Sequence, residues 1–163
     1  MKRVRRLWIR KIKVLAPGPL KFSFVKEGVD SYVEKISPLC PIEVCFPKVK
    51  SGIQDKEERL KLEGKILKKH LNGNEFLVVL DERGQSLNTK ILAMKIEKWL
   101  EASKDLCFLV GGPEGLSDEF KQRADFLLSL SSLTLNHEIA LLVLMEALYR
   151  SLTILKKIPY HRE

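Results

Sequence analysis

Short apolar runs alternate with longer stretches of helical period along this chain. Ile12 and Val14 alternate with lysines, which predicts a strand over 9–15, ended by Ala16-Pro17-Gly18-Pro19. Phe22, Val25, Val29, Tyr32, Val33 and Ile36 then recur at steps of three and four, the mark of one helix face, until Pro38 and Pro41 stop it. Ile42 to Phe46 reads as a second strand closed by Pro47. A polar loop through Lys50, Ser51 and Gly52 leads to a charged helix with the seam Leu60, Gly64, Leu67 and Leu71. Asn72-Gly73-Asn74 is turn chemistry, and Phe76 to Leu80 predicts a buried strand ending on Asp81, before a turn at Arg83-Gly84. Ile91, Leu92, Ile96, Trp99 and Leu100 mark a third helix, and Leu106 to Val110 a further buried strand. A short polar helix, a fifth apolar strand from Phe126 to Leu130, and a last helix from about Glu138 to Leu155 follow. An exposed tail ends the chain at Tyr160-His161-Arg162-Glu163.

Continuous apolar strands alternating with helices predict an α/β fold, a parallel sheet covered by helices on both faces. At 163 residues, without repeat or linker, the chain suits a single domain, 1–163. No apolar run approaches the roughly 20 residues of a membrane-spanning helix. The triplet Leu7-Trp8-Ile9 is too short for a secretory core, and three cysteines (Cys40, Cys45, Cys107) suit a reducing compartment. A cytoplasmic protein without membrane contact is the expectation. Charge changes the picture further. The net charge is +8, and nine basic residues with no acid precede Glu27, whereas the remaining 20 basic and 21 acidic residues nearly cancel. A basic arm at 1–9 reads either as a nucleic-acid contact or as a solvated tail.

In parallel sheets, ligands bind beyond the carboxyl ends of the strands. Three segments fall there: Leu80-Asp81 with Arg83-Gly84, the loop Gly111-Gly112-Pro113-Glu114-Gly115, and Ser131 to His137. The glycine loop lacks the Lys and Ser/Thr of a P-loop and the spacing of a dinucleotide fingerprint. It is either a backbone cradle for a ligand or a tight turn with none. Ser131-Ser132-Leu133-Thr134-Leu135-Asn136-His137 combines apolar and hydroxyl side chains, and either binds something or forms a core strand with Asn136 capping the next helix. His70, His137 and His161 show no metal-ligand spacing, Cys107 falls mid-strand, and no nucleophile elbow is present. No metal is expected.

Four segments together carry a resemblance: Gly111 to Ser117, Ser129 to His137, Glu146-Ala147-Leu148-Tyr149-Arg150, and the terminal Tyr160-His161-Arg162-Glu163. In this order they resemble the RlmH (YbeA-type) family of SPOUT methyltransferases, which methylate N3 of a pseudouridine in 23S ribosomal RNA. The resemblance runs from about Arg10 to the end. It implies a C-terminal trefoil knot, a homodimer, S-adenosyl-L-methionine as cofactor, and 23S rRNA within the ribosome as partner. Matching positions imply a cofactor pocket of Leu80, Gly112, Ser131, Ser132, Leu133, Thr134, Leu135 and Asn136. They imply a catalytic set of Glu146, Arg150, Tyr160, His161 and Arg162 on the substrate side. Arg150 and Arg162 would stabilise negative charge on the target base, and His161 would accept or relay its proton. Glu146, four residues before Arg150, would orient that arginine. The chain departs from the family at Asn136, where proline is common, and in the stretch after His137, where a basic residue is common a few positions on and Glu138 and Leu141 stand here. The alternative is a ribosome- or RNA-binding module that keeps the fold without the reaction.

Overall fold

The computed structural model describes residues 10–50, 52–102 and 104–162. The basic arm at 1–9 and Glu163 lie outside the described residues. In chain order the elements are β1 (Ile12–Leu15), α1 (Ser23–Ile36), β2 (Ile42–Cys45), α2 (Lys56–Lys68), β3 (Phe76–Ser86), α3 (Thr89–Glu101), β4 (Leu106–Leu109), α4 (Asp118–Arg123), β5 (Phe126–Ser129) and α5 (His137–Leu155). The strands form one parallel sheet in the order β2-β1-β4-β3-β5. The predicted single α/β domain, its sheet covered on both faces, is what the chain forms.

Alternation along each strand explains why both faces must be covered. Ile12, Val14, Val78, Leu106 and Phe108 point to one side, where they meet α1, α3 and α5 through Val29, Ile96, Leu144 and Leu148. Leu15, Leu77, Val79, Cys107 and Leu109 point to the other, where Leu67 of α2 and Phe120 of α4 close a smaller cluster. Cys107 is therefore core, as its mid-strand place predicts, and burial pushes its thiol up to about 12. Asp55 and Asn88 cap α2 and α3 by accepting the amides of Glu58 and Ile91, each at 2.9 Å.

Two elements differ from the sequence reading. β3 does not end at Asp81. It runs on to Ser86, with a bulge that lets Leu80 and Gln85 both face Leu128 of β5. Gly84 permits this: a Cβ there would fall 2.7 Å from the Leu127 carbonyl carbon and oxygen. The second difference is the tail. Tyr160 and His161 are half-buried rather than exposed, folded back onto α5.

Candidate cofactor pocket and tail cluster

The carboxyl ends of β3, β4 and β5 open into a cavity of about 450 Å³, within the range of small-molecule sites. Its walls are the three segments that follow those strands, with α5 entering through His137 and Ala140. Leu80, Gly112, Ser131, Leu133, Thr134 and Leu135 all line it. Ser132 and Asn136 do not. Asn136 instead caps α5, its Oδ1 accepting the Glu138 amide at 2.9 Å. Ser131 Oγ accepts the Leu133 amide at 2.9 Å, and Ser129 Oγ donates to the Ser131 carbonyl at 3.0 Å. These hydroxyls stiffen the loop.

The glycine loop is held by its own backbone. Gly115, at φ 76°, donates its amide to the Gly112 carbonyl at 3.0 Å. A Cβ at Gly111 would fall 2.7 Å from the Gly115 carbonyl carbon, so the turn closes only on glycine. Helix α2 braces the loop from outside. Arg59 reaches Glu114 at 3.4 Å and Lys56 reaches it at 3.7 Å. Glu63, 6% exposed, abuts Gly112. Across the cavity Lys121 pairs with Asp81 at 2.9 Å. Burial opposes the Asp81 charge, but the Lys121 hydrogen bond and the Arg83 amide together hold its carboxyl below the usual range. Burial lowers the pKa of His137 against the pull of Glu138, so a neutral imidazole faces the cavity at pH 7.

A second cluster forms on the distal half of α5. Arg150 donates from Nε and Nη2 to Glu146 Oε1 at 2.9 and 2.5 Å, and its Nη1 meets His161 Nδ1 at 3.4 Å. Since guanidinium can only donate, Nδ1 is the acceptor there. The Glu146 hydrogen bond raises the Arg150 pKa further. The Tyr160 ring lies 4.6 Å from the guanidinium carbon and 4.7 Å from the Tyr149 ring, while its hydroxyl donates to Glu146 at 3.3 Å. Burial and then hydrogen bonding with Tyr32 push the Tyr160 phenol up to about 12. Arg162 is exposed. The structure thus brings Glu146, Arg150, Tyr160 and His161 together. It keeps them apart from the cavity: Arg150 lies ten residues beyond Ala140, about 15 Å along the helix.

Sequence reasoning missed Lys56, Glu63 and Lys121 at the first region, and Tyr32 and Lys35 at the second. Tyr32 lies 6.1 Å from Tyr149, and Lys35 Nζ sits 5.4 and 5.8 Å from those two rings. The three charged residues lie in polar helical stretches whose pattern marks nothing. Tyr32 reads in sequence only as part of an apolar seam.

The family described as "Predicted SPOUT methyltransferase" matches residues 10–161. The chain belongs to the SPOUT methyltransferase family. Relatives named "Ribosomal RNA large subunit methyltransferase H" agree along nearly the whole length. The protein from Syntrophotalea carbinolica is 38% identical over 153 residues, spanning 93% of this chain and 98% of that one. That from Dechloromonas aromatica is 40% identical over 154 residues, spanning 94% and 99%. Among solved structures, a probable methyltransferase from Bordetella pertussis shares the fold with a TM-score of 0.53 at 13% identity, covering 90% of this chain and 96% of that one. A probable methylase family protein from Haemophilus influenzae gives the same score at 12% identity, covering 94% of this chain and 71% of the other. In this SPOUT methyltransferase the cavity is thus lined by main chain, apolar side chains and charges of both signs, and the cluster of Glu146, Arg150, Tyr160 and His161 stands apart from it.

Proposed function

We propose that this SPOUT methyltransferase transfers a methyl group from S-adenosyl-L-methionine to N3 of a pseudouridine in 23S ribosomal RNA, on the assembled ribosome in the cytoplasm. The observation that carries the reading is the near-complete match to relatives named for large-subunit rRNA methylation. The cavity suits this cofactor. A sulfonium nucleoside has no phosphate, so it needs amides, carbonyls and an apolar slot rather than a lysine-bearing loop. Gly111 to Gly115 and Ser131 to Leu135 offer the first two, and Leu133 and Leu135 the third. Leu133 is 73% exposed, free to fold over a bound adenine. Asn136 serves as the cap that fixes where the loop ends, and Ser132 through its backbone.

Bound there, the cofactor supplies an electrophilic methyl group. The imide nitrogen of the target base must lose its proton before it attacks. His161 accepts or relays that proton once Arg150 turns from it to the substrate, and Arg150 and Arg162 stabilise the charge left on the flanking carbonyl oxygens. Glu146 holds Arg150, and Tyr160 keeps its proton while packing the tail onto α5. Most of the acceleration comes from holding nucleophile and methyl in line.

The separation of the two regions within one chain supports a homodimer in which the tail cluster of one subunit faces the pocket of the other. α1 and α5 pack side by side, Gly28 against Leu142, and carry exposed Phe22, Phe24 and Val143, a face suited to a second copy. The trefoil knot belongs to the same reading. The basic arm at 1–9 would add phosphate contacts.

The test is transfer of labelled methyl to ribosomes lacking the modification, with wild type beside Arg162→Ala and the labelled nucleotide mapped. Label on one pseudouridine with wild type, and little with the variant, is expected. No label despite cofactor binding would sink the reading and favour an RNA-binding module.

A further inference from the structure

Glu63 is the group in the molecule least explained by packing. It is 6% exposed, and its Oε2 has no hydrogen-bond partner, a costly arrangement for a carboxyl group. It lies directly behind the pocket wall. A Cβ on Gly112 would fall 3.1 and 3.3 Å from its two carboxyl oxygens and 3.3 Å from the Pro17 ring, so the carboxyl packs against a glycine that lines the cavity. The groups facing it are Arg59 from its own helix, Glu114 from the glycine loop and the apolar Pro17. Arg59 is shared: it bonds Glu114 and the Ile53 carbonyl.

The cavity lining is otherwise balanced, with Lys56, Arg83 and Lys121 against Asp81, Glu82 and Glu114. A cationic ligand thus meets no net attraction from the lining itself.

We propose that Glu63 is the specificity-determining carboxylate of this pocket, favouring the cationic sulfonium cofactor over its neutral thioether product. The inference rests on the cofactor reading above. In the empty pocket burial disfavours the Glu63 charge more than Arg59 restores it. A cation arriving beyond Gly112 stabilises the carboxylate, and any proton it holds leaves to solvent. After transfer the thioether lacks that charge, and product release is favoured. Glu63 thus acts on ligand charge, not on ligand shape.

The test is calorimetric titration of the intact protein, without RNA, with S-adenosylmethionine and with S-adenosylhomocysteine, in two buffers of different ionisation enthalpy. Across about pH 5–7, above the ordinary carboxyl range, wild type should release more of a proton on binding the cofactor than on binding the product. Glu63→Gln, which keeps shape and burial, should lose that difference and narrow the preference for the cofactor by about tenfold, the equivalent of one unit of pKa coupling. Equal proton release for the two ligands in wild type, or an unchanged preference in Glu63→Gln, would overturn the proposal. The wild-type comparison stands even where the variant fails to fold. Failure of the underlying cofactor reading looks different: wild type would then bind neither compound.

Discussion

The two ends of α5 do different work with different materials. At its N-terminus the pocket rests chiefly on main chain: glycines at 111, 112 and 115, a serine-rich loop whose hydroxyls bond backbone, and apolar walls, with charged side chains of both signs around them. At its C-terminus the tail cluster is made of side chains: a carboxylate, a guanidinium, an imidazole and a phenol within contact of one another. The difference teaches where each region is vulnerable. A backbone site tolerates changes in side-chain chemistry but not added atoms. A side-chain site tolerates changes that preserve packing only when they also preserve charge and hydrogen-bonding capacity.

The largest expected effect lies on the side-chain end. Truncation after Ile158 removes Tyr160, His161 and Arg162, and should lower methyl transfer at least about 10³-fold, the scale of losing several charge-stabilising groups together. S-adenosylhomocysteine affinity should change by less than about threefold. Measuring both on one preparation checks the division, and a parallel loss of binding would break it. Arg150→Ala should behave alike, with an added small loss of stability from an unpaired Glu146. At the backbone end the order reverses. Gly111→Ala places a Cβ 2.7 Å from the Gly115 carbonyl carbon, so the loop must move. Overpacking against main chain costs about 1–3 kcal/mol, which corresponds to roughly 10–100-fold weaker cofactor binding when it is spent in the loop. Calorimetric affinity decides this, and Leu133→Met, a change in side chain alone, should shift it by less than about threefold.

The same contrast explains what the sequence made legible. Five strands and five helices follow from periodicity, because buried parallel strands are apolar throughout and helix seams repeat at three and four. The pocket's position followed as well, since strand ends in such sheets mark ligand sites. Extension of β3 through Asp81-Glu82-Arg83-Gly84 was hidden, because polar residues at a bulge carry no strand pattern. The division of labour inside Ser131 to Asn136 was hidden too. The string offers Asn136 as a helix cap only as one of two readings, and nothing in it marks Thr134 as the residue that faces the cavity. The fold-back of Tyr160 depends on Tyr32 and Tyr149, which are 128 and 11 residues away, and on a register between α1 and α5 that no local pattern reports.

A third expectation concerns the joint between the regions. Glu138, 2% exposed, accepts the Lys21 amide on both oxygens and the Phe22 amide on Oε1, each at 3.0 Å. Phe22 is the N-cap of α1 and its own side chain accepts nothing, so Glu138 of α5 supplies what the cap lacks. Glu138→Ala would leave the two amides without their acceptor and should cost about 1–3 kcal/mol, read from the denaturation midpoint. Because α1 and α5 carry both the pocket entrance and the tail's support, the variant should weaken cofactor binding and transfer together. Loss of only one would show that the two ends are not coupled through this joint.

The smallest effect sharpens the comparison at the pocket rim. Asp81 and Lys121 pair at 2.9 Å with the carboxylate 10% exposed, so the pair joins β3 to α4 across the cavity. The folded state holds Asp81 below its ordinary pKa, hence its contribution is present in full above the unfolded value of about 4 and is lost as pH falls through the folded value. Asp81→Asn should therefore cost about 0.5–1 kcal/mol at pH 7, and the gap from wild type should close below about pH 3. Thermal unfolding of both proteins across pH 2.5–7 measures it. A gap that persists undiminished at the acid end would mean that Asp81 acts through the hydrogen bond from the Arg83 amide, which asparagine cannot fully replace, rather than through the charge of Lys121. In that case the rim, like the rest of the pocket, would be held by backbone after all.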